Sequence, residues 1–403
     1  MNPLRNPYMP GAGRQPPELA GRDDELTMFD VELERAAEGM SVRGFVLVGL
    51  RGVGKTVLLN AMRGRAIDAG WATAKIEGEF GTPLADPLAT ALTGALRGIS
   101  RKARNRSRLD TVQAALSTLG LAAGADGIRL TVDPAQHRAA SRAMQVNLTG
   151  LFTDLGLLAR DTGAGLAVFI DELQDVPAAD LGALCAACHE MGQLGYPVIL
   201  VGAGLPNLPA VLSGARSYAE RLFNYLPIDK LGTKAAHQAL IAPAARHEVA
   251  FSPDALAALT AMTDRYAYFI QTYGQATWDA ALGSPVTAED VRIAEAAAER
   301  TLAVGFFGAR YSRATPAERA YLHAMARVGD GAVATNAVAR AAGRPIRSLS
   351  PLRDAVIRKG LVFSPERGLV DFSVPHFARY LRKQDHDAPP PRRHARPRTG
   401  AAR

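Results

Sequence analysis

Apolar and polar positions along this chain change rhythm three times. Between Gly44 and about Ile228, apolar runs ("GFVLVG", "WATAKIE", "GLAVFID", "YPVILVG") alternate with stretches whose apolar residues recur every three or four positions. Continuous apolar strands joined by helical crossovers predict a parallel sheet covered on both faces, an α/β fold. From Leu231 to Phe307 the strand-like runs stop, and four helical patterns follow: "KAAHQALIAPAARH", "PDALAALTAMT", "YFIQTYGQATWDAAL" and "TAEDVRIAEAAAERTL". Ser252 ahead of Pro253, and Thr287 ahead of an acidic first turn, predict two of the helix starts. From Thr315 to Lys383 the pattern becomes "PAERAYLHAMARV", "TNAVARAAG" and "SLSPLRDAVIRKG", then "LVF", a turn "SPERG" and "LVDFSV". Three helices followed by a hairpin is the order of a winged helix-turn-helix.

These rhythms divide the chain into an N-terminal segment 1–43, a core 44–230, a helical lid 231–307, a winged helix 315–383 and a tail 384–403. About 120 residues separate the first strand's loop from the third strand, too many for one crossover, so residues of about 95–145 read as an insertion. It carries the short strand-like pair around "DGIRLTVDP".

The chemistry concentrates where the first strand ends. Gly49, Leu50, Arg51, Gly52, Val53, Gly54, Lys55, Thr56 and Val57 fit the phosphate-binding loop pattern, with a strand before it and a helix after it. Backbone N–H groups and the helix N-terminus collect positive charge there and face an anion. In such a loop Lys55 neutralises the β- and γ-phosphates of a nucleotide and the Thr56 hydroxyl ligates Mg²⁺. The strand "GLAVFID" ends on Asp171 and Glu172. Acids at the carboxyl end of a parallel strand lie beside such a loop, so Asp171 is expected in the Mg²⁺ shell and Glu172 as the group that polarises the attacking water. Lys55 and Glu172 are thus the first catalytic candidates.

Length and composition narrow the class. The chain has 403 residues, enough for two or three domains, and its 48% apolar and 21% charged residues are those of a globular protein. No run of about 18 apolar residues and no secretory pattern is present, which predicts a cytoplasmic protein without a membrane partner. Cys185 and Cys188 sit three apart in a helical run and read as small core residues, because zinc would need further ligands. Five of the eight excess positive charges fall in the tail, "APPPRRHARPRTGAAR", which is expected to be disordered. A second basic run, "RGISRKARNRSR", occupies 97–108. Both runs are compatible with nucleic acid or with a solvated face.

Taken together, "LAGRDDEL" at 19–26, "GLRGVGKT", "FIDELQD", "VGAGLP" at 201–206, "SYAERLF" at 217–223 and "FSVPHFARYL" at 372–381 resemble AAA+ ATPases of the replication-initiator-like group, which have relatives among the signalling STAND ATPases. The resemblance spans nearly the whole chain apart from the tail, and is weakest over the insertion. It implies ATP and Mg²⁺ as ligands and ATP hydrolysis as the activity. It also implies that Leu19, Gly21 and Arg22 line the adenine side, and that Arg221, with Arg216 in reserve, is an arginine finger acting on a neighbouring subunit of a homo-oligomer. The alternative for Arg221 is a contact along Glu220's helix face.

Two departures from the family pattern stand out. The sensor strand carries Gly202, Ala203 and Gly204, with Asn207 as its first polar side chain, and Ala267 stands two residues after Arg265 where relatives have the proline of a Gly-x-Pro. The expected function is an ATP-driven switch associated with double-stranded DNA through its winged helix. Arg347, Ser348, Ser350, Arg353 and Arg358 on the third helix are the candidate contacts. The alternative is a STAND-like signalling or defence ATPase whose winged helix packs on protein; a metabolic kinase would leave the helical and winged parts unexplained.

Overall fold

The computed structural model describes residues 1–100, 107, 109–116 and 134–387, in two compact units, Met1–Val304 and Gly305 onward. The strand-like pair expected around residues 126–133, most of the basic run 97–108 and the tail from residue 388 lie outside the described residues.

In the first unit, β1 (Gly44–Val48), β2 (Ala72–Glu77), β3 (Leu166–Asp171), β4 (Val198–Gly204) and β5 (Phe223–Pro227) form one parallel sheet in the order β2-β3-β4-β1-β5. The first four are the strands that the apolar runs predict. The fifth falls on "FNYLP", which follows the short helix Ala219–Leu222 and has only one fully buried position. An edge strand needs no continuous apolar run, which is why the hydrophobic pattern misses it.

Strand alternation sorts the side chains into two cores. Phe45, Leu47, Ala167, Phe169, Ile199 and Val201 meet Phe29 and Leu33 of helix Asp23–Ala37 and Leu58, Leu59 and Met62 of helix Lys55–Asp68. Phe29 sits edge-on to Phe45 and Phe169, with ring centroids 5.6 and 6.3 Å apart. The intervening residues Val46, Ala74, Ile76, Val168, Ile170 and Leu200 face the opposite side. There they meet Leu88 and Leu92 of helix Ala85–Ser100, Phe152 and Leu155 of helix Pro134–Thr162, and Leu184 of helix Ala178–Leu194. The flanks of the expected insertion are therefore part of the core. Cys185 is buried in it and Cys188 half-buried, both as free thiols.

The lid helices are Thr233–Ala245, Pro253–Thr263, Ala267–Ala280 and Ala288–Thr301. Ser252 accepts from Ala255 N at 3.2 Å, and Thr287 forms a capping box with Asp290, so both expected starts are capped. The N-terminal segment crosses this lid. Tyr8 is buried, its hydroxyl donating to Leu240 O at 2.5 Å, and its ring lies where a Cβ on Gly274 would come within 2.8 Å.

In the second unit, helices Pro316–Val328, Thr335–Ala342 and Ile346–Arg358 precede an antiparallel sheet in the order β6-β8-β7. Its strands are β6 (Val333–Ala334), β7 (Val362–Phe363) and β8 (Leu369–Phe372). Residues expected as a two-stranded hairpin thus gain a third, two-residue strand. Phe307 stacks on Phe377 and Tyr380 of the closing helix Phe377–Asp387, and Lys359 pairs with the largely buried Glu318 at 2.6 Å.

The loop after β1 is where backbone crowding is tightest. A Cβ on Gly49 would stand 2.0 Å from Ile228 O, whereas Gly64, in the helix that follows, faces open space. Gly49→Ala is expected to destabilise the fold by about 3 kcal/mol, the upper end of the usual range for overpacking, since backbone cannot yield as a side chain can. Gly64→Ala should stabilise it by about 0.5–1 kcal/mol through helix propensity. Denaturant melts of the two variants check this pair of opposite signs.

Candidate active site

The loop Gly49–Gly54 joins β1 to helix Lys55–Asp68 with Gly52 and Gly54 in the left-handed region, at φ 87° and 100°. Only glycine holds those angles without strain, and a glycine-rich turn of this kind at a helix N-terminus suits an anion. Lys55 is almost wholly buried, its Nζ donating to the carbonyls of Gly49 and Leu50 at 2.8 and 2.9 Å. Burial pulls its ammonium down to about 8, more strongly than Glu172 and Asp171 hold it up.

Strand β3 brings the two acids to the same place. Thr56 Oγ1 donates to Asp171 Oδ2 at 2.6 Å, while Asp171 Oδ1 accepts from Glu172 N at 3.0 Å. A hydroxyl and a buried carboxylate at a helix N-terminus are hard oxygen donors of the kind Mg²⁺ takes, with the remaining positions left to water and phosphate. Among the described residues no group of three or more His, Cys, Asp or Glu could hold a metal ion.

Glu172 has φ 47°, a left-handed backbone for a non-glycine residue. Its carboxylate is held by the Arg51 guanidinium, with Arg51 Nη2 at 3.3 Å from Oε2, and by Gln174 Nε2 at 2.6 Å. Gln174 Oε1 in turn accepts from Leu205 N at 3.0 Å. Space for that amide comes from β4: a Cβ on Gly204 would lie 2.4 Å from Gln174 Oε1, and one on Gly202 would lie 2.5 Å from Leu173. The two glycines of β4 thus admit Gln174 to its end. Asp175, close by, is raised to about 6 by burial and then by Glu172.

The remaining candidates divide. Leu19 is partly buried and packs against the core cluster under the sheet, as do Leu50 and Tyr266. Gly21, at φ 66°, lies where a Cβ would meet Ala235 of the lid at 2.6 Å. The buried Arg22 guanidinium donates to Val53 O at 3.3 Å and Asp229 O at 2.7 Å, tying the loop to the chain after β5. The lid also reaches the loop directly, Tyr268 N donating to Gly52 O at 3.1 Å. Arg265 and Asp264 before it adopt φ 62° and 44°, so two non-glycine residues make the turn.

Arg221 is exposed, and its side chain has no hydrogen bond or ion pair among the described residues, including with Glu220. Arg216 is committed within the chain, donating to Gly182 O at 3.2 Å and to Gln145. Asn207 Oδ1 is buried without a partner among the described residues. Sequence reasoning missed the side chains of Arg51 and Gln174, although "FIDELQD" places the glutamine two residues after Glu172.

A buried lysine in a glycine loop, a Thr–Asp contact beside it and a second acid form a nucleoside triphosphate site. Residues 18–201 match the family model of the AAA ATPase domain. This part of the chain is an AAA ATPase domain, and the protein an ATP hydrolase. Residues 304–381 match a family described as a domain of unknown function. A Walker-type ATPase of Pyrococcus abyssi shares the fold, with 14% identity, a TM-score of 0.56, and 91% of this chain and 97% of that one covered. Cdc6p of Pyrobaculum aerophilum (15% identity, 93% and 97% covered, TM-score 0.45) superposes more loosely. So does the RuvB Holliday junction branch migration motor of Thermotoga maritima (14%, 96% and 100%, TM-score 0.43). No curated protein matches the sequence.

The state of Lys55 gives this AAA ATPase a testable pH dependence. With its folded value near 8 and the unfolded one near 10.5, the unfolded chain binds the extra proton between them, so ligand-free stability rises with pH across that window. Nucleotide affinity runs the other way, because the anion needs the ammonium. It should be flat below about 8 and fall by up to roughly tenfold per pH unit above it. Titration calorimetry with ADP from pH 7 to 9.5 checks the sign.

Proposed function

We propose that the protein is a Mg²⁺-dependent ATP-driven switch of the initiator-like AAA+ group that engages double-stranded DNA through its second unit. The observation that carries the nucleotide half is the 2.6 Å contact between Thr56 and the buried Asp171, with Glu172 next in the chain. In this reading Lys55 binds the β- and γ-phosphates, Thr56 and Asp171 hold Mg²⁺, and Glu172 accepts the proton of the attacking water. Mg²⁺ supplies charge neutralisation at the phosphates. Leu19, Gly21 and Arg22 shape the base side, the last through the loop backbone. The exposed, unengaged Arg221 suits a finger offered to a second copy of the chain, whereas Arg216 is already occupied. Among the described residues no helix is long and apolar enough to cross a membrane, and we place the protein in the cytoplasm.

The order of three helices and a small antiparallel sheet supports reading the second unit as a winged helix whose third helix, Ile346–Arg358, enters the major groove. Arg347 and Arg358 are exposed on that helix and free to meet phosphates. One observation favours the rival reading of a signalling ATPase with a protein-packing winged helix. Arg353 is paired with Asp354 at 3.0 Å, and the Ser348 and Ser350 hydroxyls donate to Pro345 O and Ile346 O.

Salt dependence separates the two. A chain ending at Asp387, without the arginine tail, should bind duplex DNA with log affinity falling linearly in log salt. Arg347→Ala and Arg358→Ala should each lower the slope by about 0.9. Binding that vanishes with the tail would assign the second unit to protein contacts.

A further inference from the structure

The ion pair between Arg51 and Glu172 is more than the phosphate loop requires. A loop of this pattern uses its third residue for a backbone N–H, and the side chain is free to vary. Here that side chain turns onto the acid nearest the pocket, with both terminal nitrogens on its two carboxylate oxygens. Arg51 and Glu172 side chains are only 23% and 18% exposed, so solvent screens the pair weakly. Glu172 Oε2 also takes Gln174 Nε2, so both carboxylate oxygens are already occupied by donors. Arg51 Nε, meanwhile, is buried with no acceptor among the described residues. The guanidinium is thus a planar fork in a phosphate site with one donor unused, held by an acid that hydrolysis needs elsewhere.

We propose that Arg51 is a positioning residue that exchanges Glu172 for the terminal phosphate of ATP. When a γ-phosphate enters, its oxygens compete with the carboxylate for the fork. Arg51 turns to the phosphate, and Glu172 remains where Gln174, anchored to Leu205 N, holds it. Its basic oxygen then faces water only in the ATP-bound state. ADP brings no such competitor and leaves the pair closed. The exchange makes Arg51 the residue that distinguishes ATP from ADP, and it rests on the reading of Glu172 as the base.

The test is a double-mutant cycle on the full chain with Mg²⁺, reading the ratio of affinities for the non-hydrolysable imido analogue of ATP and for ADP. Arg51→Ala should lower that ratio by about tenfold, the loss of one charge-assisted contact, with ADP affinity little changed. Glu172→Gln frees the fork and should raise the ratio by roughly fivefold. In the doubly substituted chain that rise should disappear. Arg51→Lys, which keeps the charge but not the fork, should fall between parent and Arg51→Ala and covers the case in which the alanine chain folds poorly. Effects that simply add, or an Arg51→Ala ratio equal to the parent's, would overturn the exchange. ATP turnover by Glu172→Gln on its own is read separately. Parental turnover there would refute Glu172 as the base, whereas slow turnover with an additive cycle would refute only the exchange.

Discussion

Everything at the site depends on the parallel strands β1, β4 and β3 ending side by side. Because β4 lies between the other two, the loop after β1 and the acids after β3 open onto the same edge, and Thr56 can reach Asp171. The two glycines of β4 allow this closeness. With side chains at Gly202 and Gly204, Leu173 and Gln174 could not pass over the strand, and Glu172 would lose the amide that orients it. The aromatic and aliphatic packing of Phe29, Phe45, Phe169 and Leu58 beneath the sheet holds the strands in that register. Burial of Lys55 is a consequence of the same geometry, which places a cation where it lacks water and gains stability once a phosphate arrives.

Much of this was legible in the chain. β1, β3 and β4 announce themselves as continuous apolar runs because they are buried on both faces, β2 at the sheet's edge alternates between buried and half-buried positions, and the helix starts at Ser252 and Thr287 follow from capping chemistry alone. The loop Gly49–Thr56 is legible because φ and close-approach demands exclude other residues at its glycines. What escaped has a physical reason too. β5 is an edge strand with half-exposed side chains. The Arg51–Glu172 pair joins residues 121 positions apart, and the role of Gln174 depends on empty space at two glycines, which no local pattern records. The β6 strand is two residues long, below what alternation can signal.

The second unit keeps its hydrophobic logic and leaves its surface ambiguous. Its core, built on Leu322, Val356, Val370 and Phe377, is fully buried, and Glu318 both closes a capping box and receives Lys359. The third helix carries exposed arginines at its two ends and a paired one between them. Charge of that kind sets affinity for a polyanion through the number of phosphates reached rather than through any one contact.

The central claim is that Lys55, desolvated within the glycine loop, is the cation on which triphosphate binding depends. Equilibrium binding of Mg-ATP to Lys55→Ala and to the parent chain tests it most directly. The account predicts a loss of affinity on the order of 100-fold in the variant, since an anion site without its ammonium keeps only backbone donors and a helix end. Equal affinity in the two chains would contradict it.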